Sequence, residues 1–302
     1  MPPALVHPAP VQPVPTQALP VHYPTLHDTS EHWNTEHRTT DECAGENAWS
    51  GHELRRAVEE RQFTLHYQPV ISLETGELEG VEGLLRWMHP DHGTLVAGSF
   101  IESMSRHLLL GSLLPQIIEE ACQTAVALGE TGNSGRFVAL NVDPHQFAED
   151  PIVDLIESAL ASTGAHAESL VVEMTERNGA LDDTATLAAA HDLHDLGVQL
   201  AIDDFGTGHS TLARLKALPA AKLKIDRSFV RDVDTDEEDQ AIIASVVMLA
   251  NSLGVGCVAE GVERPKQADV LSELGCPTGQ GFLLGPAVAP GDITARFNAA
   301  VA

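Results

Sequence analysis

Residues 200–210 read Leu-Ala-Ile-Asp-Asp-Phe-Gly-Thr-Gly-His-Ser, a short apolar run that stops at two adjacent carboxylates. The apolar start predicts a buried strand, and the glycines at 206 and 208 allow a tight turn directly after it. Such a turn can aim both Asp203 and Asp204 at one site, although adjacent strand residues point to opposite faces. Two carboxylates held so close repel each other, and protonation of one or a divalent cation between them relieves the repulsion. The pair therefore indicates a metal site; the alternative is that Asp204 only caps a following helix.

The composition of the 302-residue chain is that of a globular protein, with 43% hydrophobic side chains. This length suffices for one large domain or two medium ones. The formal net charge of −27 argues against binding to nucleic acid polymers or acidic membranes, because polyanions need a basic surface. An anionic substrate would need metal ions to offset this negative field.

The cysteines and the hydropathy pattern indicate a protein of a reducing compartment. Cys43, Cys122, Cys257 and Cys276 lie far apart without CxxC spacing, so neither a zinc site nor a disulfide framework is indicated. No uncharged apolar run reaches the roughly 18 residues of a membrane span, and the N-terminus lacks the pattern of a signal peptide. We therefore expect a cytoplasmic protein that does not associate with membranes.

Residues 1–50 are rich in proline and in spaced histidine and show little hydrophobic periodicity. A segment of this composition cannot bury a core, so we predict a disordered tail. The folded domain is expected to span residues 51–290, and residues 291–302 to form a C-terminal tail.

The folded part begins with a predicted hairpin and continues as alternating strands and helices. The turn at 74–77 separates two strand-like segments that should pair antiparallel. The later alternation predicts a closed (β/α)8 barrel of the TIM type, modified by a first strand that runs antiparallel. The strands are expected at 63–73, 78–87, 137–142, 170–174, 198–202, 222–225, 255–260 and 280–283, and helices at 51–60, 99–128, 150–163, 182–196 and 237–253.

Nearly every predicted strand carries a polar residue within it or at its end, and in a barrel these residues converge on one mouth. They are Glu82, Asn141, Glu173, Asp203, Lys224, Glu260 and Gln280. One buried Glu could be an ion-pair partner, but the single strand lysine cannot neutralise so many carboxylates. Oxygen ligands without cysteine or clustered histidine favour Mg²⁺ or Mn²⁺. Two ions bridged by one aspartate would suit an in-line displacement at phosphorus.

Residues 63–290 resemble the EAL domain, the bacterial cyclic di-GMP phosphodiesterase, through motifs that occur in order along the whole domain. These motifs are YQPV at 67–70, EGLLRW at 82–87, LNV at 140–142, EMTE at 173–176, DDFGTG at 203–208, LKIDRSFV at 223–230, AEGVE at 259–263 and QGFL at 280–283. Each motif alone is weak, but the set is specific.

The resemblance implies two metal ions, Mg²⁺ or Mn²⁺, in one site. It assigns the first ion to Glu82, Asn141, Glu173 and Asp203, and it implies that Asp203 bridges to a second ion completed by Asp204. Lys224 and Glu260 would orient and deprotonate the attacking water.

Further matches concern the substrate and its surroundings. Arg86 matches a phosphate-contacting arginine, or else forms an exterior salt bridge. Glu176 matches a glutamate that steadies the loop after the Asp-Asp pair, or else is a helix N-terminal residue of no special role. Asp226 would support Lys224 and the substrate, or only cap the next helix. The other matching positions that contact or support the substrate are Gln68, Leu84, Gln280 and Glu263.

The sequence departs from the family pattern at a few positions. Gly83 replaces the alanine of the name-giving triplet, which removes one methyl group and loosens the strand but leaves Glu82 in place. Other departures are Glu102, Ser105, Ala221 and Arg264. None removes a metal ligand, so they bear on substrate affinity and on the surface of a homodimer formed through the barrel.

The resemblance implies hydrolysis of cyclic di-GMP to linear 5′-pGpG, which lowers the level of this second messenger. The alternative is a catalytically silent domain that acts as a cyclic di-GMP receptor or a protein-interaction module. Silent members typically lose ligands, whereas this chain retains every ligand that the motifs place.

Overall fold

The structure is a computed structural model that describes residues 49–129, 135–143, 146–147, 151–175, 184–206 and 212–293. The predicted disordered tail lies outside these residues except for its last two, and of the predicted C-terminal tail only 291–293 are described. Glu176 and residues 207–210, the end of the acidic segment quoted first, also lie outside the described residues.

The barrel begins with the predicted antiparallel hairpin. Strand β1 (Phe63–Ser72) pairs with β2 (Leu78–His89) from Phe63 opposite Trp87 to Ile71 opposite Leu78. A short strand, β3 (Gly93–Val96), then pairs with the outer end of β2. The aromatic residues at one end of the hairpin pack on helix α1 (Gly51–Glu59), which begins after the N-cap Ser50.

Eight of the described strands close into a barrel, and β1 is antiparallel to both of its neighbours, β2 and the last strand, β9 (Thr278–Gly279). All other neighbouring pairs in the ring are parallel. The predicted barrel with an antiparallel first strand is confirmed. The remaining strands are β4 (Phe137–Asn141), β5 (Leu170–Thr175), β6 (Gln199–Phe205), β7 (Lys222–Ile225), β8 (Gly256–Ala259) and β9 (Thr278–Gly279).

Helices cover the outside of the barrel, which is why the strands are buried on both faces. None of the helices in the described ranges combines the length and the apolar character needed to cross a membrane. With α1 (Gly51–Glu59), the helices are α2 (Ile101–Arg106), α3 (Leu110–Gly129), α4 (Ile152–Thr163), α5 (Thr184–Asp195), α6 (Leu212–Ala217), α7 (Arg227–Val230), α8 (Glu237–Leu253) and α9 (Pro265–Glu273).

Three predicted elements differ from the structure. Strand β6, expected to end at Ile202, continues to Phe205, so Asp203 and Asp204 lie within the strand and not in a turn after it. The helix expected at 99–128 is interrupted, because Leu108 adopts a left-handed φ of 55° between α2 and α3. The last strand, expected at 280–283, comprises Thr278–Gly279 instead. Beyond it the backbone turns at Gly281, whose carbonyl accepts the amide of Leu284 at 3.0 Å.

The barrel interior consists of layers. Strand residues of the same parity face the same side of the sheet, so residues two apart form successive layers. One buried apolar cluster comprises Val70, Phe137, Ala139, Val171, Ala201 and Val258. Two residues further on in β4, β5 and β6, and directly after the end of β8, come Asn141, Glu173, Asp203 and Glu260. The apolar layer therefore forms a floor beneath a polar layer at the C-terminal mouth.

Candidate active site

The centre of the polar layer is Lys224 on β7, whose ammonium lies among four carboxylates from other strands or strand ends. Its Nζ is 2.6 Å from Glu173 Oε2 and 2.6 Å from Glu260 Oε1. It is 3.4 Å from both Glu82 Oε2 and Asp203 Oδ1. The predicted convergence of these strand residues is thus present in the structure.

The Lys224 side chain is only 3% exposed. Burial by itself lowers the pKa of this ammonium, but the surrounding carboxylates raise it, with Glu173 the largest contributor. The pKa of Lys224 therefore lies well above its usual range, and the side chain is a permanent cation in the acidic mouth.

Glu82 is held by two amides as well as by Lys224. Asn141 Nδ2 donates to Glu82 Oε1 at 2.6 Å, and Gln280 Nε2 donates to Glu82 Oε2 at 2.6 Å. Burial raises the pKa of Glu82, but Lys224 and the two amides outweigh burial, so the pKa is lowered. Gln280 Nε2 also donates to Gln68 Oε1 at 3.2 Å, while the buried Gln280 Oε1 has no hydrogen-bond partner among the described residues. An amide oxygen of this kind can accept from a ligand group in the mouth.

Asp203 and Asp204 reach the same mouth because of an irregularity in β6. The pairing of β6 with β7 shifts register between Ile202 and Phe205, and Asp204 has a left-handed φ of 55°. This kink places two consecutive carboxylates on one side of the strand, as bulges do near functional sites. The Asp204 amide donates to Asp203 Oδ1 at 2.9 Å.

Asp203, Asp204 and Glu260 each offer a carboxylate oxygen, and these oxygens lie within 4.8 Å of one another. Burial raises the pKa of Glu260 to about 7, against the lowering effect of Lys224, so this carboxylate would gain from a further cation. Oxygen donors without sulfur are the ligands of hard divalent cations. The residues present therefore fit a divalent metal ion.

A cavity of about 280 Å³ opens over this cluster. Its lining includes eight predicted site residues, namely Gln68, Glu82, Leu84, Asp203, Lys224, Glu260, Glu263 and Gln280. Arg227 and Phe282 also line it but were not among the predicted site residues, although both belong to motifs of the family resemblance. Phe282 is 58% exposed, unusual for a large aromatic residue, and an exposed aromatic in a signature motif is the signal that could have identified it.

Arg86 lies beside a second cavity of about 290 Å³, which is lined mostly by apolar side chains. The two cavities share Leu84, and the second also reaches Asn141. Arg86 Nη1 donates to the Leu85 carbonyl at 3.0 Å. Among the described residues Arg86 forms no salt bridge, so the alternative of an exterior ion pair finds no partner there.

Asp226 lines neither cavity, although its carboxyl group is hydrogen-bonded to that of Asp204. The Asp226 carboxylate accepts the Ser228 amide at 2.9 Å and caps α7, as its helix-capping alternative predicts. Asp226 is not among the residues that line the cavity over the cluster, so its support of substrate stays a prediction. Glu176 lies outside the described residues, and its role stays a prediction as well.

Comparison with known proteins relates this site to a family. The model of the EAL domain matches residues 52–287. The chain is 40% identical over 234 residues to the bifunctional diguanylate cyclase/cyclic di-GMP phosphodiesterase MucR of Pseudomonas aeruginosa, covering 78% of this chain and 34% of MucR. It is 37% identical over 231 residues to the cyclic di-GMP phosphodiesterase NbdA of the same organism, covering 76% of this chain and 30% of NbdA.

Comparison with solved structures points to the same family. The Pseudomonas aeruginosa MucR phosphodiesterase in complex with c-di-GMP superposes with a TM-score of 0.74 at 38% identity, covering 80% of this chain and 98% of that one. The chain spans about a third of the length of the curated relatives MucR and NbdA. The match with the family model nonetheless extends over most of this chain, and the motifs, barrel and acidic mouth lie inside it. The chain therefore belongs to the EAL domain family.

Proposed function

We propose that this chain hydrolyses cyclic di-GMP to linear 5′-pGpG and so lowers the level of this second messenger. The observation that carries the proposal is the position of Lys224, whose ammonium lies within 3.4 Å of four carboxylates at one mouth of the barrel. The names of MucR and NbdA, and the c-di-GMP complex of the MucR domain, support the choice of substrate.

The proposed metal ligands are Glu82, Asn141, Glu173 and Asp203 for one ion and Asp203 with Asp204 for a second. Oxygen ligands favour Mg²⁺ or Mn²⁺. When bound, the two ions supply Lewis-acid stabilisation of the charge that develops on the phosphoryl oxygens. The proximity of Glu260 to Asp203 and Asp204 makes Glu260 a further candidate ligand.

In the proposed reaction a water oxygen attacks phosphorus and the bond from phosphorus to the ribose 3′ oxygen breaks; the leaving 3′ oxygen takes a proton from solvent and becomes a hydroxyl group. Glu260 accepts the proton of the attacking water, since its carboxylate lies at the edge of the cavity beside Lys224. Lys224 orients that water and stabilises negative charge on the phosphoryl group. Because its own carboxylate partners hold Lys224 in place, the cation is preorganised before substrate arrives.

The substrate would lie in the cavity above these groups. Gln68, Leu84, Gln280 and Glu263 line this cavity, and Arg86 lies in the adjoining one. We assign them to substrate binding, with Arg86 on a phosphate. Asp226 and Glu176 are assigned supporting roles, on the substrate side of Lys224 and on the loop after Asp204. A cytoplasmic location and a homodimer through the barrel stay predictions, and sedimentation velocity tests the dimer.

The proposal is tested by incubating the purified chain with cyclic di-GMP and Mg²⁺ or Mn²⁺ and separating the nucleotides by chromatography. We expect linear 5′-pGpG to accumulate with metal and not with a chelator. Tight binding of cyclic di-GMP without product would favour the receptor alternative. Neither binding nor cleavage would overturn both assignments.

A further inference from the structure

Two cations line the cavity over the acidic cluster, among the residues that the structure describes. They are Lys224 and Arg227. Lys224 is buried and already paired with four carboxylates, so its charge is compensated by the protein itself. Arg227 is exposed and stands at the start of α7, three residues beyond Lys224.

The Arg227 guanidinium differs from neighbouring arginines in its contacts. Within the described part of the chain it donates no hydrogen bond and forms no salt bridge, although its charge lowers the pKa of the adjacent Asp226. Other exposed arginines of this region are paired: Arg231 with Asp232 at 2.9 Å, and Arg264 with Asp234 at 2.6 Å. In a chain with net charge −27, an arginine that lines an acidic cavity and has no carboxylate salt-bridge partner in the described ranges differs from these ordinary surface ion pairs.

The backbone and Cβ of Arg227 are held in place by packing, whereas the residue as a whole is exposed at the cavity. Gly261 has a φ of +72°, and a Cβ added there would lie 2.7 Å from Arg227 Cβ and 3.5 Å from its Cα. The β8 end and the start of α7 therefore pack in close contact at the backbone and Cβ of Arg227. Replacing only the guanidinium leaves this contact intact, so a structural role and a binding role can be separated.

We propose that Arg227 binds a phosphodiester oxygen of the cyclic dinucleotide and supplies charge for substrate binding rather than for bond cleavage. This inference rests on the proposed function for the identity of the substrate. A guanidinium presents several N–H donors in a fixed fork that suits phosphate oxygens. Arg227 is exposed at the cavity and is not part of the buried group formed by Lys224 and its four carboxylates. We therefore expect it to contact the substrate equally in the ground state and in the transition state. An interaction of this kind changes KM more than kcat.

The test compares Arg227→Gln and Arg227→Lys with Arg231→Gln, which removes the same charge four residues away and outside the cavity lining. We expect Arg227→Gln to raise KM for cyclic di-GMP by about tenfold or more, as loss of a charged hydrogen bond does, and to change kcat by less than about twofold. Arg227→Lys should give an intermediate KM, because a lysine keeps the charge but not the fork. Arg231→Gln should match the wild type.

Salt dependence provides a second readout. The wild-type KM should rise with ionic strength, and the rise should be smaller in Arg227→Gln, because a charge interaction with the substrate has been removed. An unchanged KM in Arg227→Gln, a loss confined to kcat, or a lysine variant no better than the glutamine variant would each overturn the inference. Equal melting temperatures of the variants would show that each comparison is made on the folded protein.

The two proposals fail separately. If the wild type cleaves cyclic di-GMP and Arg227→Gln behaves like it, only the role of Arg227 is refuted. If the wild type does not cleave, calorimetric binding of cyclic di-GMP still tests Arg227. A loss of affinity of about tenfold in Arg227→Gln would then support its role in a receptor, and no loss would refute it.

Discussion

The ammonium of Lys224 lies 2.6 Å from Glu173 Oε2 across the interior of the barrel, with β6 between the two strands that carry them. Both side chains are almost entirely buried, so each charge depends on the other and on the neighbouring polar groups. Because β5 and β7 are parallel members of one closed sheet, the pair can form only in the folded barrel. The site and the fold are therefore coupled through Lys224.

Glu82→Ala and Asp203→Ala should abolish hydrolysis without unfolding the barrel. Each change removes a proposed metal ligand, and three carboxylates remain to pair with Lys224. Turnover and thermal unfolding should be measured on both variants, with Asp154→Ala on the exposed side of α4 as the control that keeps full activity. Retained turnover in Asp203→Ala would contradict the assignment of two metal ions bridged by this residue.

Added Mg²⁺ or Mn²⁺ should raise the melting temperature of the chain, because an ion that binds only the folded state stabilises it by mass action. In Asp204→Asn the increase should be smaller. The metal-free melting temperature of this variant should be equal or higher, since one of three crowded carboxylates has lost its charge. Asp269→Asn, an exposed change on α9, should behave like the wild type. An Asp204→Asn variant with the full metal-induced shift would place the ion elsewhere.

Gly83→Ala should stabilise the barrel by about 0.5–1 kcal/mol, the usual gain when a glycine in a compatible conformation becomes alanine. A Cβ at Gly83 would lie 3.2 Å from both Leu140 Cδ2 and Leu65 Cδ1, which are the ends of flexible side chains and can move slightly. Urea unfolding measures the effect. As the contrasting change, Gly281→Ala would collide with the backbone of Val262 and should destabilise by more than about 2 kcal/mol. A clear loss of stability in Gly83→Ala would mean that the side chains of Leu140 and Leu65 cannot move enough to accommodate the added methyl group.

Much of the fold could be predicted because each strand is a short apolar run between turn residues. The antiparallel hairpin was identifiable from the turn at 74–77, and the structure confirms the antiparallel pairing. The end of β9 was not predictable in the same way. The Gln280 amide still donates to the Ala259 carbonyl of β8 at 2.8 Å, as a residue of a paired strand would. The chain then turns at Gly281, which packs against the backbone of Val262. That turn depends on a tertiary contact that local sequence does not contain.

The residues of the site could be predicted better than their contacts. Polar residues two positions beyond the apolar floor on β5, β6 and β8 share its face, so their convergence follows from strand parity. The central position of Lys224 depends instead on the distances between strands far apart in sequence. The kink at Asp204 likewise arises from a shifted register between β6 and β7. The role proposed for Arg227 depends on its position at the cavity and on the absence of a salt bridge to any other described residue, neither of which local sequence contains.

The most direct test of the account is steady-state hydrolysis of cyclic di-GMP by Lys224→Ala beside the wild type, with binding measured separately in Ca²⁺. Calcium has looser coordination geometry and should support binding better than catalysis. We predict that kcat falls by about 10²-fold or more while KM changes little, because Lys224 acts mainly on charge that develops in the transition state. An unchanged kcat with a large loss of affinity would contradict the catalytic role of Lys224 and favour a binding site over an active site.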